Sequence, residues 1–585
     1  MRWGSTPDSA EGFDMSSGTL PITNFTAGEW SAKLDGRVDL ARYGQACSVL
    51  CNMTILPHGA VTRRMGTEYV AKGLSNYVRL IPFVYNQNQA YVLELTPGRV
   101  RFFRDGVYLE GKDIHTGPWS VLDIWSVYYC QSADVMYLAS HRFPPQKLSR
   151  TGPDEFTLTT VPFASQPAEW NTDSWPRIVT FAQQRLWLSG CPAAPQKIWA
   201  SKTGDFEDFT TGTDEDAAIV ISLVAEQVNV VLWMLVHQHV LLVGTAGGEW
   251  AISPASSGAI TNKNITASRN SNYGSSGERP IMTGVSILYS SGDGRRLREM
   301  SYAFSDDAFV SQDVCLLAEH MFRSGIGELA YCQDPDCIVW CRLGDGTFCG
   351  LTYLRAQEIM GWHRHETKGA VFAITCIPAK GYTETWMVVE RKNGLCIERM
   401  KEPWDGETSN ESGCWYVDSG LMYEGSEVTK LTGIDHLEGE EVVVLADGAA
   451  HENRVVENGS IELDSPASRV LVGLPYTWTV APMRLEGLSP RGTTQGKKVR
   501  ISKVTARLYK SLGVTWSLPS QTDPPYPLAS RDVDMAMDTA PLPFSGDAEL
   551  SMPGGWTQDA RVVLSGDGAF PATIIMLVPH ATVYE

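Results

Sequence analysis

Between Tyr77 and Glu402 the apolar positions come in short runs of strand length, each ending at a turn signal. VRLIPFVYN, AYVLEL and RVRFFRDGVYL open the series, with Asp105-Gly106 as a hairpin turn of the primed type. VYYCQSADVMYLASH (127–141) turns at Ala133-Asp134, and PRIVTFAQQRLWLSG (176–190) at Gln183-Gln184. VVLWMLVHQHVLLVGTAGGEWAIS turns near Gln238, and VSILYSSGDGRRLREMSYA at Gly292-Asp293-Gly294. LAYCQDPDCIVWCRLGDGTFCGLTYL turns at Asp334-Pro335 and Gly344-Asp345-Gly346, and FAITCIPAKGYTETWMVVERKNGLCIERM at Asn393-Gly394. The unit recurs every roughly 45–55 residues, the spacing of radial repeats. A sheet of three or four strands cannot bury both faces alone, so the units must stack on one another. The expected fold is mainly β: a β-propeller of seven or eight irregular blades over 77–402.

One stretch before this series has a different period. Leu40, Tyr43, Cys47, Leu50 and Cys51 recur at three- and four-residue steps. Asp39 is placed as an N-cap, and Pro57-His58-Gly59 forces a turn afterwards. The spacing predicts an amphipathic helix over 39–51, inside an N-terminal platform segment of 21–76. Residues 1–20 are polar and Gly/Ser-rich and read as a disordered leader without a secretory h-region.

After the propeller, EPWDGETSNESG (402–413) is a polar linker, taken as 403–413. A β-rich module follows over 414–490, with strands EEVVVLADG, SIELD and SRVLVGLPY. A second platform segment, 491–585, contains the long strand KVRISKVTARLYKS, a Pro-rich excursion through Pro524, Pro525 and Pro527, and ATIIMLVP. The excursion is too long for an ordinary loop and suggests an arm or a contact loop.

Composition narrows the function. The chain has 585 residues, 43% of them hydrophobic, with Gly 53 and Pro 32, which suits many strands and turns. Its formal net charge of −19 argues against passive nucleic-acid binding. It is compatible with a surface that nucleic acid passes without sticking. The longest apolar run, 228–243, is broken by Asn229, His237, Gln238 and His239 and is too short for a membrane span.

Candidate chemistry is sparse. No nucleophile elbow, zincin, Walker or calcium-loop pattern occurs. The densest cysteines, Cys332, Cys337, Cys341 and Cys349, lack paired zinc spacing and read as packed thiols. His363 and His365 share one face of a strand, with Trp362 and Arg364 on the other; they form either a satisfied structural pair or part of a metal site. The two Gly-Asp-Gly triplets read as hairpin turns rather than phosphate cradles. Basic residues concentrate between Arg491 and Lys510. Lys498 and Arg500, then Lys503 and Arg507, alternate with apolar residues across a one-residue change of phase that suggests a bulge. These four, with Arg63 and Arg64 after the Pro57 turn, are the candidate contacts to a neighbouring subunit or to passing phosphates. No catalytic, metal or cofactor-binding residue is assigned.

The ordered phrases of the chain resemble the tail nozzle proteins of short-tailed bacteriophages, also called tail tubular protein B. The similarity begins with NFTAGEWSAKLDGRVDLARYGQACSVLCNMTILPHGAVTRRMGTEYV. It continues through SNYGSSGERPIMTGVSILYSSGDGRRLREMSY, LAEHMF and GWHRHET. VDSGLMYEG, LTGIDHLEGEEVVVLADG, ASRVLVGLPY, KVTARLYKSLG and ATIIMLVP complete it. The resemblance implies a virion protein without enzymatic activity or cofactor, assembled in the host bacterial cytoplasm. It implies a hexameric ring below a ring of adaptor subunits (tail tubular protein A-like), with tail fibres or spikes as further partners. The ring would retain the genome and conduct double-stranded DNA during ejection. The alternative from a different class is a glycan-binding or glycan-degrading propeller, which needs acidic and aromatic residues converging at one end of the propeller axis.

Overall fold

The computed structural model describes residues 15–225, 228–404, 414–486, 493–519, 525–528 and 540–584. Seven four-stranded antiparallel units form a β-propeller. They occupy 79–108, 128–160, 178–222, 231–271, 281–313, 326–365, and 370–400 together with Thr67–Lys72, and are numbered blades 1 to 7 in that order. The first strand of each blade lies innermost. Ala370–Pro378 packs on both Arg79–Asn86 and Ile326–Cys332, and Ile178–Ala182 packs between Tyr128–Ser132 and Val231–His237.

Burial follows position in the blade. The second strand of blade 3, Arg185–Cys191, is buried at every residue, whereas the outer strand of blade 2, Glu155–Thr160, is exposed at alternate positions. Inner strands therefore read as continuous apolar runs and outer strands as alternating ones. Trp187, Trp199 and Trp233 fill the shared core of blades 3 and 4. The hairpins turn where the sequence places them. Asp105 and Gly106 (φ +51° and +79°) and Gln183 and Gln184 (φ +46° and +60°) are left-handed at both central positions, as a type I′ turn requires.

Ring closure comes from outside the expected boundary. Thr67–Lys72 pairs antiparallel with Gly394–Met400 and supplies the outer strand of blade 7. The propeller thus begins at 67, not 77, and a segment preceding blade 1 ties down the last blade.

Two blades run on into the rest of the molecule. Beyond Ile359–His365 of blade 6 the sheet continues through Gly28–Glu29, Ala46–Cys51, Trp478–Pro482, Val563–Gly566, Thr515–Ser517 and Tyr526–Pro527. Beyond Thr67–Lys72 of blade 7 it continues through Asp418–Thr432, Ser460–Leu474 and Glu441–Ala446. A separate platform sheet has the order Met53–Ile55, Val61–Arg63, Thr573–Tyr584, Lys498–Ser511, Phe544–Ser551. Its core joins both chain ends, including Ile22, Phe25, Leu50, Val504, Leu564 and Leu577.

Three expectations are corrected. The helix over 39–51 is absent. The segment holds short 3-10 turns at Ala32–Leu34 and Tyr43–Gln45 and then the strand Ala46–Cys51. Asp39 caps nothing and instead accepts two hydrogen bonds from Arg37, each 2.7 Å. Cys47, Leu50 and Cys51 look helical in spacing because this strand is covered on both faces, and spacing alone does not separate a two-sided strand from a helix. The leader is not wholly unstructured: Met15–Thr19 is a strand paired with Thr573–Tyr584, while 1–14 lie outside the described residues. The β-rich module ends earlier than 490, since Trp478–Pro482 belongs to the sheet of blade 6. Most of the linker (405–413), Arg491 and Pro524 lie outside the described residues.

Candidate functional site: the propeller–platform junction and the basic strand

Arg63 and Arg64 are not surface contacts. Each is only 2% exposed, because the turn at Pro57 folds their strand against the module and blade 6. Arg64 Nη1 and Nη2 form a two-pronged ion pair with Asp418 at 2.8 and 2.7 Å. Its Nε donates to Asn52 Oδ1 (3.0 Å), and Nη2 also donates to the Glu366 carbonyl (3.0 Å). The guanidinium lies 3.8 Å from the Tyr476 ring centroid. Burial alone would raise the Asp418 carboxyl; the charge and hydrogen bonds of Arg64 outweigh it and hold the group below the usual carboxylate range. Arg63 donates to the carbonyls of Phe570 (2.9 Å), Tyr476 (2.7 Å) and Gly568. One dipeptide thereby ties the platform sheet, the 418–474 module and the end of blade 6 together. Asn52, Asp418 and Tyr476 carry no local motif, and sequence reading missed them.

The basic strand behaves as its pattern implies. Lys498–Ser511 alternates exposed and buried positions, and its register against Thr573–Tyr584 shifts between Ile501 and Lys503, the expected bulge. Half of its cationic face is already neutralised by the neighbouring strand Phe544–Ser551. Lys503 meets Glu549 at 2.8 Å, and Arg507 meets Asp547 at 2.7 and 2.9 Å. Such exposed pairs contribute little to stability. Lys498 and Arg500 are exposed and have no carboxylate partner among the described residues.

His363 and His365 form a buried structural pair. His363 Nδ1 lies 2.6 Å from His365 Nε2, and His363 Nε2 lies 3.2 Å from Thr352 Oγ1. Trp340 and Phe348 pack against the rings. Burial pushes His363 down to about 3 and His365 well below its ordinary value, so both are neutral at pH 7. No cluster of three metal-ligating side chains occurs among the described residues. Cys341 faces Cys349 across two strands of blade 6, and both are buried beside Cys315. Cys337 is not on that strand face; it sits in the preceding turn with φ +51°. All twelve cysteines are free thiols. In both Gly-Asp-Gly turns the aspartate accepts from its own turn: Asp293 from Arg295 N (3.1 Å) and Asp345 from Thr347 N (3.0 Å). Each carboxylate thus occupies a turn N–H that a phosphate cradle would need free.

The propeller axis has its own charged end. The inner strands all run the same way, so the residues that open them collect at one mouth. Arg79, Arg177, Arg279 and Glu278 stand at or just before the starts of such strands, joined by Glu328 and Arg342 of blade 6. Arg79 Nε lies 3.5 Å from Glu328, and Arg279 lies over the Tyr129 ring at 4.2 Å. Burial raises Glu278 to about 7 against the opposing pull of Arg79. The signal that would have found this cluster is a charged residue recurring just ahead of apolar inner strands.

No protein-family model and no curated protein matches the chain. Among solved structures, a crystal structure of RRP9 WD40 repeats is similar to it, with 9% identity and a TM-score of 0.37 over 58% of this chain and 100% of that one. The seven-blade assignment stands on the sheet pairing described above. No helix among the described residues is long and apolar enough to cross a membrane.

Proposed function

We propose that the chain is a structural subunit of the tail nozzle of a short-tailed bacteriophage, in keeping with the ordered phrases it shares with that family. In this reading six copies form a ring beneath an adaptor ring, retain the genome and conduct double-stranded DNA at ejection. The protein then resides in the virion, is assembled in the host cytoplasm and carries no catalytic activity. Tail fibres or spikes are its further partners.

The observation that carries the reading is the continuity of blades 6 and 7 with the platform sheets. A propeller used for a small ligand needs no second sheet system built from both chain ends. A ring subunit needs a stiff body with broad faces for neighbours, and sheets shared between body and platform supply that stiffness. Electrostatics is consistent with it: six copies at −19 each carry −114, and DNA slides past such a wall rather than sticking to it. Lys498 and Arg500, exposed and unneutralised, are the residues of the basic strand that remain available to an acidic neighbour or to passing phosphates. Arg63 and Arg64 leave that list and become the internal joint of the subunit.

Negative-stain microscopy of the purified chain with and without its adaptor ring tests the proposal. Ring particles, at least in the mixture, are the expected result. A chain that stays monomeric in the presence of the adaptor contradicts it.

A further inference from the structure

Between the platform and the lower ends of blades 6 and 7 lies a cleft of about 400 Å³, within the range of small-molecule sites. Its walls come from five parts of the chain: the strand pair around Thr54 and Thr62, the Asp334–Asp336 connection of blade 6, the hairpin at Tyr382 of blade 7, Trp404 with Tyr416, and the platform strands at Tyr509 and Thr573. We propose that this cleft binds a neutral saccharide of one or two rings, a role that goes beyond the nozzle reading and does not depend on it.

The lining chemistry selects that ligand class. Tyr382, Trp404 and Tyr509, each partly exposed, offer aromatic surface for the C–H face of a sugar ring. Asp336, half-buried on the wall, has no ion-pair partner among the described residues and can accept hydrogen bonds from hydroxyl groups. Asp334 and Glu402, both exposed, add further acceptors at the rim. Few ligands combine apolar ring faces with donors and acceptors around the rim as saccharides do.

The charges exclude the obvious competitor, a phosphorylated or carboxylated ligand. Of the two cations on the wall, Arg63 is engaged by three carbonyls and Lys401 lies 3.4 Å from Glu68. Asp334, Asp336 and Glu402 remain, so the cleft repels anions at neutral pH. Binding rather than hydrolysis is inferred.

Saturation-transfer NMR on the full chain tests the proposal with glucose, galactose, mannose, N-acetylglucosamine and their common disaccharides at millimolar concentration. At least one should receive saturation, strongest on the C–H protons of one ring face. Trp404→Ala and Tyr382→Ala should each weaken that ligand about tenfold. Tyr382→Phe should retain binding, and circular dichroism should show all three variants folded. Absence of transfer to every sugar overturns the proposal, as does a signal that survives in both alanine variants. Weakening in Tyr382→Phe equal to that in Tyr382→Ala would overturn the assignment of the ring as the stacking surface.

Discussion

The propeller and the platform are built from the same kind of strand, yet they depend on the chain in opposite ways. Each blade from 1 to 6 is made of consecutive strands, most of them joined by tight turns, so its contacts are local. The platform joins strands hundreds of residues apart: Val61–Arg63 pairs with Thr573–Tyr584, and Ala46–Cys51 with Trp478–Pro482. Local hairpins specify themselves; the platform exists only once both chain ends have met. The propeller shares that weakness at one place, the outer strand of blade 7, which comes from the N-terminal side. The difference predicts that damage spreads through the platform and the closure strand, and stays local in the ordinary blades.

The most severe way to break the comparison is at the joint. Arg64→Met leaves Asp418 buried without its ion-pair partner, with only the Thr367 hydroxyl (2.6 Å) and the nearby Arg391 to support it, and should lower stability by about 3 kcal/mol in urea denaturation. The double variant with Asp418→Leu should recover most of the loss, because it removes both charges. A fully additive double variant would show that the pair is not the joint.

Ring closure comes next. Ala71 pairs with Ile397 in the closure strand, and Ala71→Pro should cost about 3 kcal/mol or more. Thr157→Pro in the outer strand of blade 2, which alternates exposed positions, should cost clearly less by the same measurement. Equal losses would mean that closure has no special weight.

The propeller axis gives a smaller, pH-dependent effect. Glu278 is raised to about 7 in the folded chain, so between its ordinary value near 4.5 and 7 the folded state binds the proton more tightly than the unfolded one. Stability therefore rises as pH falls through 7, and the penalty is complete above it. Glu278→Gln should stabilise the protein on the order of 1–2 kcal/mol at pH 8 and not at pH 4. His363 and His365 have the opposite sign. Their folded values lie below the ordinary 6.5, so they subtract stability as pH falls beneath it. His365→Gln should flatten the acid limb of the stability profile.

The smallest effect belongs to the platform surface. Arg507→Ala removes an exposed pair with Asp547 and should leave the urea-denaturation midpoint almost unchanged, with any difference vanishing at high salt.

What the sequence makes legible follows the same division. Hairpin turns such as Asp105-Gly106 and Gln183-Gln184 and the bulge after Ile501 are encoded within a few residues, and they stand where the pattern places them. The strand Ala46–Cys51 spaces its apolar residues as a helix does, and that spacing carries no record of the distant strands Ile359–His365 and Trp478–Pro482 that pair along its edges. Arg63 and Arg64 read as surface charge for a related reason. A buried arginine is distinguishable from an exposed one only through its partners, and Asp418 and Tyr476 lie more than 350 residues downstream. Lys498 and Arg500 were legible as exposed because strand alternation is local. The cleft between the platform and blades 6 and 7 draws its walls from five separated segments, and no window of the sequence contains them together.

In the nozzle subunit proposed above, the platform carries assembly while the blades serve as a rigid body. Hydrogen exchange of the chain alone and in complex with its adaptor ring tests this most directly. New protection should fall on the platform strands Lys498–Ser511 and Phe544–Ser551, with the outer strands of blades 2 to 4 unchanged at their ends away from neighbours. Protection confined to those blades, with the platform strands exchanging as in the free chain, would contradict it.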